Sequence, residues 1–325
     1  MSHLATQPLR FESFLRPMPW GGRKWARFLG KNMPSDGPYG ESWEVSDHAL
    51  HQSRLATASG FGITLRELIV KEREHLLGRA AARFNVFPWL IKFLDAEDWL
   101  SVQVHPDEYA VEKLSLPEGA KTEAWYVVDA APGSRIYAGL KPGVDQAEFS
   151  AAIATGKVVD CLESFQPMPG DFVFLPAGKV HAVGGGVFFA EIQQTSDATF
   201  RLFDWNRRDA QGKPRTLHID EGLAAIRWNQ KPNAPISTDD SMGKSLVACP
   251  YFAIDRIAWP SSRQVGGTGR MQALVVTAGQ GRFANGEFLM AGDVWILPAA
   301  MPTVELAIES PLAGILCTLP DGGET

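Results

Sequence analysis

The sequence predicts a mainly β molecule, a sandwich or barrel of short strands with a few covering helices, and three observations carry that expectation. Short β-branched or aromatic runs recur at 88–95 (PWLIKFLD), 99–104 (WLSVQV), 123–128 (EAWYVV), 171–175 (DFVFL) and 187–193 (VFFAEIQ), separated by Gly/Pro turn signals. Apolar residues at helical spacing are confined to a few stretches. A segment in the second half of the chain repeats one in the first, as two copies of one fold would.

Taken in order, residues 9–60 are rich in Gly, Pro and Trp and form a lead-in, with 42–46 reading as a strand or ordered loop. Over 64–84, Leu65, Leu68, Ile69, Leu76, Leu77 and Ala80 recur at three and four residues, predicting one or two amphipathic helices that cover a sheet edge. A second helical pattern at 146–161 (QAEFSAAIATGKVVDC) lengthens the connection between the strands near 125 and 172. After 222–228, the stretch NQKPNAPISTDDS (229–241) has a linker's composition, and the remainder is strand-rich. A boundary near 232 therefore divides the chain into 1–232 and 233–325.

The repeat shows what the fold retains. PGDFVFLPAGKVHAV from Pro169 matches AGDVWILPAAMPTVEL from Ala291, so that Gly170, Asp171, Leu175, Pro176 and Ala177 face Gly292, Asp293, Leu297, Pro298 and Ala299. His181 falls opposite Thr303. Upstream, AWYVV (124–128) pairs with QALVV (272–276), which sets Glu123 opposite Met271. The second copy keeps the strand-turn-strand frame and lacks the polar side chains.

Composition excludes several function classes. Hydrophobic residues at 45% and charged residues at 21% describe an ordinary globular protein. A net charge of -6 argues against a broad footprint for nucleic acid or an anionic membrane. Cys161, Cys249 and Cys317 are far apart and odd in number, which suits a reducing cytoplasm and neither a disulfide framework nor a thiolate zinc site. No stretch approaches the roughly 18 apolar residues of a membrane span. The expected partner is a small molecule, and nothing chooses between monomer and homodimer.

The first copy contains G-x5-P-x-G-x2-H as Gly170, Pro176, Gly178 and His181, which resembles the second of the two cupin motifs. Upstream, Gln103 and His105 alternate on one strand and point to one face, with Glu123 leading the next strand. The usual His-x-His has become Gln-x-His. Two imidazoles, a carboxylate and an amide oxygen form a hard-to-borderline set suited to zinc, and able also to hold manganese, cobalt or iron. No thiolate is present, and coordination positions remain open for substrate, as a catalytic site requires.

The strings LSVQVHPDEYA (100–110), GAKTEAWYVV (119–128), FLPAGKVHAV (174–183) and EIQQTSDATFRLFDWNR (191–207), with PMPWGG (17–22) and PYGESWEVSDH (38–48), closely resemble class I mannose-6-phosphate isomerases (phosphomannose isomerases). The resemblance covers most of residues 15–320, and the length resembles the family's short bacterial form. It implies tandem cupin (jelly-roll β-barrel) domains, one Zn2+ per chain, and interconversion of mannose 6-phosphate and fructose 6-phosphate. On this basis 1–232 holds the metal-binding cupin and 233–325 a degenerate cupin without ligands. The family's metal ligands match Gln103, His105, Glu123 and His181, its essential arginine matches Arg201, and its active-site lysine matches Lys121. One departure stands out: longer relatives often carry a Tyr two residues after the second ligand His, where this chain has Val183 and then three glycines.

An aldose–ketose isomerisation moves a proton between C2 and C1 through an enediolate. A site for it must bind O1 and O2, stabilise negative charge and shuttle a proton. Arg201 and Lys121 can supply fixed positive charge; Lys121, Glu191 and Asp197 are the candidates for the proton; Ser101, Lys121 and Arg201 can bind substrate and its phosphate. Arg201 is open to a second role, as ion-pair partner of Asp197. The competing functions are a metal-dependent isomerase of another sugar phosphate and a non-catalytic sugar-binding cupin.

Overall fold

The computed structural model describes residues 4–34, 36–208, 211–237 and 245–322. The chain is mainly β and folds as the tandem cupin its motifs suggest. A six-stranded sheet runs in the order Phe172–Leu175, Glu123–Ala130, Val187–Gln194, Trp89–Ala96, Phe14–Gly22 and Tyr39–Val45. A five-stranded sheet, ordered Leu162–Phe165, Arg135–Leu140, His181–Gly184, Val102–Val104 and Phe200–Phe203, faces it across the barrel. The second unit is an eight-stranded sheet built on the long strands Gln272–Phe283 and Val304–Thr318.

Burial on both faces explains why the central strands read as continuous apolar runs. Every residue of Trp89–Ala96 is buried: Ile91 and Phe93 pack outward with Ala273, Val275 and Ile296 of the second unit, while Leu94 and Ala96 pack inward with Trp125, Val127 and Phe189. The two units thus share one core, sheet against sheet. The first strand, Leu9–Arg10, joins the second unit's sheet, with Leu9 opposite Ile296.

The helix expected over 64–84 spans Leu65–Leu77, followed by a short 3-10 turn at Arg79–Ala82. Thr64 and Glu67 form a reciprocal capping box. Glu72 interrupts the helical backbone (φ -135°, ψ 30°), and its carboxylate accepts the Leu4 and Ala5 N–H groups at 3.1 and 2.8 Å. The helix ends by docking on the second unit, where Ala299 and Ala300 N–H donate to the Leu76 and His75 carbonyls. The 146–161 pattern forms Gln146–Ala154 and a turn at Val158–Cys161. Among the described residues no helix is long and apolar enough to cross a membrane.

Residues 229–237 are held against the first barrel. Asn233 N–H donates to Ala138 O, Ile236 and Phe172 exchange two backbone hydrogen bonds, and Lys179 Nζ reaches the Lys231 carbonyl and Asn233 Oδ1 at 2.6 and 2.8 Å. The rest of the expected linker, 238–241, lies outside the described residues.

The repeat is a structural repeat, with one correction of register. Both copies begin with the same turn: Asp171 N–H to Met168 O and Asp293 N–H to Met290 O, each at 3.0 Å, over glycines with φ near +90° (Gly170 +89°, Gly292 +92°) that only glycine adopts without strain. In the first hairpin Leu175 lies opposite Glu123, and in the second Leu297 lies opposite Gln272. Glu123 therefore corresponds to Gln272, not to Met271. Strand side chains alternate faces, so a slip of one residue exchanges inside for outside: Gln272 begins the row continued by Leu274 and Val276 in the second barrel's interior, whereas Met271 packs in the shared core. His181 and Thr303 correspond as expected, both following the shared hairpin. Extending the pairing of Val265 with Val304 by one residue sets Gly266 opposite Thr303, as Gln103 lies opposite His181.

Candidate active site and metal centre

On the six-stranded sheet the inward-facing residues change character along each strand. Leu94, Trp125, Val127 and Phe189 fill the floor of the first barrel, and the mouth is lined by Glu41, Lys92, Glu123 and Glu191 from four strands, all buried. The opposite wall brings His181, Gln103 and Arg201 side by side, since the register pairs Gln103 with both His181 and Arg201.

His105, Glu123 and His181 form one buried cluster whose ligand atoms lie within 4.8 Å of one another. His105 Nε2 is 3.3 Å from Glu123 Oε2, and His181 Nε2 is 3.2 Å from Glu123 Oε1. Yet His105 Nε2 and both Glu123 oxygens are buried without a hydrogen-bond partner, a costly arrangement that a shared cation would relieve. The other ring nitrogens are engaged: His105 Nδ1 contacts Ala198 O at 2.7 Å and His181 Nδ1 contacts Lys179 O at 2.9 Å. Carbonyl acceptors place the protons on Nδ1 and leave Nε2 lone pairs facing inward, the state of a metal-ligating imidazole. The Gln103 amide reaches the cluster 3.2 Å from His181 Nε2, with Ser101 Oγ 3.1 Å from its oxygen. A half-turn of the amide presents Oε1 inward and leaves Nε2 to the hydroxyl, which accepts as readily as it donates. The donor set fits a divalent metal ion.

The electrostatics agree. Burial and the neighbouring Lys121 ammonium push His105 down to about 3, so it stays neutral. Burial opposes ionisation of Glu123, but the Lys121 ammonium at 3.0 Å outweighs it and holds the carboxyl well below its usual range. Beside this cluster, charges alternate across the strands. Lys92 Nζ lies 3.1 Å from Glu191 and 3.9 Å from Glu41, and Arg16 Nη1 binds Glu41 at 2.9 Å while lying 3.8 Å from Asp197. Burial works against the Lys92 charge, and Glu191 and Glu41 overcome it, raising the group. Burial and the Glu123 charge raise Glu191 despite Lys92 and Lys121. Indole N–H groups of Trp125 and Trp43 fix Glu191 and Glu41 at 2.9 and 2.7 Å.

Arg16, Glu41, Lys92 and Glu191 line a cleft of about 260 Å³, with Met18, Trp20, Leu94 and Leu100 as its apolar side. Ser101, Gln103, Lys121, Glu191, Asp197 and Arg201 all face into it, so every candidate for catalysis and substrate binding meets at one place. Asp197 pairs with Arg16, not with Arg201. Arg201 has no carboxylate within ion-pair distance among the described residues; its Nη1 donates to Thr216 O at 2.9 Å and its Nε is buried and unpaired.

Comparison with known proteins decides the family. The model of the phosphomannose isomerase type I catalytic domain matches residues 9–129. A Streptococcus mutans protein named mannose-6-phosphate isomerase is 36% identical over 299 residues, covering 90% of this chain and 92% of that one. Mannose-6-phosphate isomerase ManA of Bacillus subtilis is 33% identical over 310 residues, covering 93% and 96%. The chain belongs to the type I phosphomannose isomerases. It is thus an isomerase by family, and its fold agrees with the crystal structure of the mannose 6-phosphate isomerase from Bacillus subtilis at a TM-score of 0.84 and 29% identity, over 95% of this chain and 99% of that one.

Against this phosphomannose isomerase frame, the residues that sequence reasoning passed over are Arg16, Lys92 and Arg215, all in the cleft wall; Glu41, which the sequence leaves open between the site and an arginine partner, has both. Lys92 carried a usable signal, a lysine centred in the apolar run PWLIKFLD, because lysine is almost never fully buried unless paired. Lys121, which also fits a lysine lying over a strand at the surface, is only 3% exposed. Of the N-terminal tryptophans, Trp25 and Trp43 are core, while Trp20 is buried but forms part of the cleft.

Proposed function

We propose that the chain interconverts mannose 6-phosphate and fructose 6-phosphate through an enediolate, with one zinc ion held by Gln103, His105, Glu123 and His181. The observation that supports this most is the cluster of buried donor atoms on His105 and Glu123, left without hydrogen-bond partners beside a cleft walled by lysine and arginine. The two imidazoles and the carboxylate suit zinc, and the sugar phosphate is the substrate in the names of the relatives that span nearly the whole chain. When bound, the ion polarises the sugar carbonyl and stabilises negative charge developing on O1 and O2.

The protein's own groups do the rest. Lys121, ion-paired to Glu123 and facing the cleft, sets a fixed positive charge where the oxyanion develops. Glu191 is our candidate for the C1–C2 proton transfer. It is anchored on the barrel wall by Trp125 and Lys92, and burial with the Glu123 charge keeps its proton affinity above that of an ordinary carboxylate. Asp197 sits at the rim with Arg16 and suits entry and orientation of the sugar better than proton transfer. Ser101 and Arg201 bind the substrate, Arg201 at the phosphate. Residues 233–325 form a cupin that holds no metal.

The decisive experiment is a coupled isomerisation assay on mannose 6-phosphate before and after chelation and with zinc restored. Activity lost on chelation and regained with zinc is the expected result; a folded, zinc-loaded protein without turnover would overturn the assignment.

A further inference from the structure

The cleft is not uniformly charged. Three of the cations in its wall have carboxylate partners: Lys121 with Glu123, Lys92 with Glu191 and Glu41, Arg16 with Glu41 and Asp197. The other two cations of the wall are Arg201 and Arg215. The carboxylate of Asp204 is shared between Arg215 and Arg207, and Arg201 has none.

We infer that Arg215 is a substrate-binding residue that closes, with Arg201, a two-arginine clamp on the phosphate of the sugar phosphate. Three structural features support it. Arg215 is oriented before any ligand arrives, since its Nε and Nη2 bind the two Asp204 oxygens as a fork, leaving Nη1 without a partner among the described residues. Arg201 presents an unpaired buried Nε beside it. The segment carrying Arg215 is fastened to the strand carrying Arg201: Arg201 N–H meets His218 Nδ1 at 3.3 Å, His218 N–H donates to Arg201 O at 2.8 Å, and the Arg201 guanidinium holds Thr216 O. Two planar forks with free N–H groups, one of them on a guanidinium without a carboxylate partner, suit a phosphate dianion. Asp204 orients Arg215, and Arg207 keeps that carboxylate neutralised in any Arg215 variant.

This inference rests on the sugar-phosphate assignment, so the test separates the two. Inorganic phosphate is titrated by calorimetry into zinc-loaded wild type, Arg215→Gln and Arg215→Lys, and mannose 6-phosphate kinetics are run alongside with zinc content measured. Expected for Arg215→Gln is a loss of phosphate affinity and a rise in KM, each on the order of 10- to 100-fold, with kcat within about threefold and zinc unchanged. Arg215→Lys should recover part of both and keeps the test open if the glutamine variant misfolds. Unchanged phosphate affinity and KM in Arg215→Gln, or a fall in kcat and zinc content at constant KM, would overturn the clamp. Wild type that binds phosphate in an Arg215-dependent way without turning over mannose 6-phosphate would instead sink the assigned reaction and leave the clamp standing.

Discussion

The two cupin units begin from the same turn and hairpin and diverge inside the barrel. Where the first places Gln103, Glu123 and His181, the second places Gly266, Gln272 and Thr303 in the corresponding registers. Where the first is lined at its mouth by Glu41, Lys92 and Glu191, the second is filled by Trp259, Phe283, Trp295 and Met301. Frame and function are therefore separable: the turn at Gly170 or Gly292 and the strand pairing need no polar interior, and the ionic mouth is an addition the frame tolerates because each charge has a partner.

The largest test of that contrast is at the corresponding positions His181 and Thr303. His181→Ala is expected to lose zinc and about 10³-fold or more in kcat/KM, while Thr303→Ala stays within about twofold. Metal analysis should find one zinc per wild-type chain, and two would break the comparison outright. Next, Lys92→Met strands Glu41 and Glu191 without their shared cation, and denaturant unfolding at neutral pH should show a loss of about 3–5 kcal/mol. In the second barrel Leu274→Ala should cost roughly 3 kcal/mol by cavity formation, with kcat unchanged. A loss of activity there would show that the second interior takes part in catalysis.

The smallest effect is electrostatic and confined to the first unit. Asp95 is fully buried, accepts Lys24 N–H at 2.8 Å, and has its other oxygen without a hydrogen bond, 4.0 Å from the Lys24 ammonium. Burial pushes it up to about 6 from an ordinary 3.8. The folded state therefore holds this proton more tightly than the unfolded chain, and the ionised group weakens folding as pH rises through 6. Asp95→Asn should be more stable than wild type by about 1–3 kcal/mol at pH 7.5, with the difference gone below about pH 4. A pH-independent difference would assign the effect to packing.

What was legible in the sequence was local. The proposed ligands could be singled out because a strand's alternation and a Gly/Pro turn fix where Gln103, His105 and His181 point, and the helix because Leu65, Leu68, Ile69, Leu76 and Leu77 recur at three and four residues. Arg16 was not, and Glu41 stayed open between the site and an arginine partner, because both reach the cleft only through the pairing of the lead-in strands with Trp89–Ala96 and with each other, a long-range choice no window contains. Arg215 arrives on a segment without regular structure. The Met271 and Gln272 error had a different source: AWYVV and QALVV match equally well in two adjacent registers, and only hydrogen bonding across the hairpin distinguishes them.

The Leu9–Arg10 strand has a consequence for how the molecule is made. Its partners, Ile296 and Trp295, lie near the other end of the chain, so during synthesis the first strand to emerge waits for almost the last to be completed. The amino-terminal segment spends that interval as an unpaired edge, available to chaperones or to a neighbouring chain. A nascent chain that has not yet reached Trp295 and Ile296 is thus one whose leading strand is still loose, even with His105, Glu123 and His181 already made.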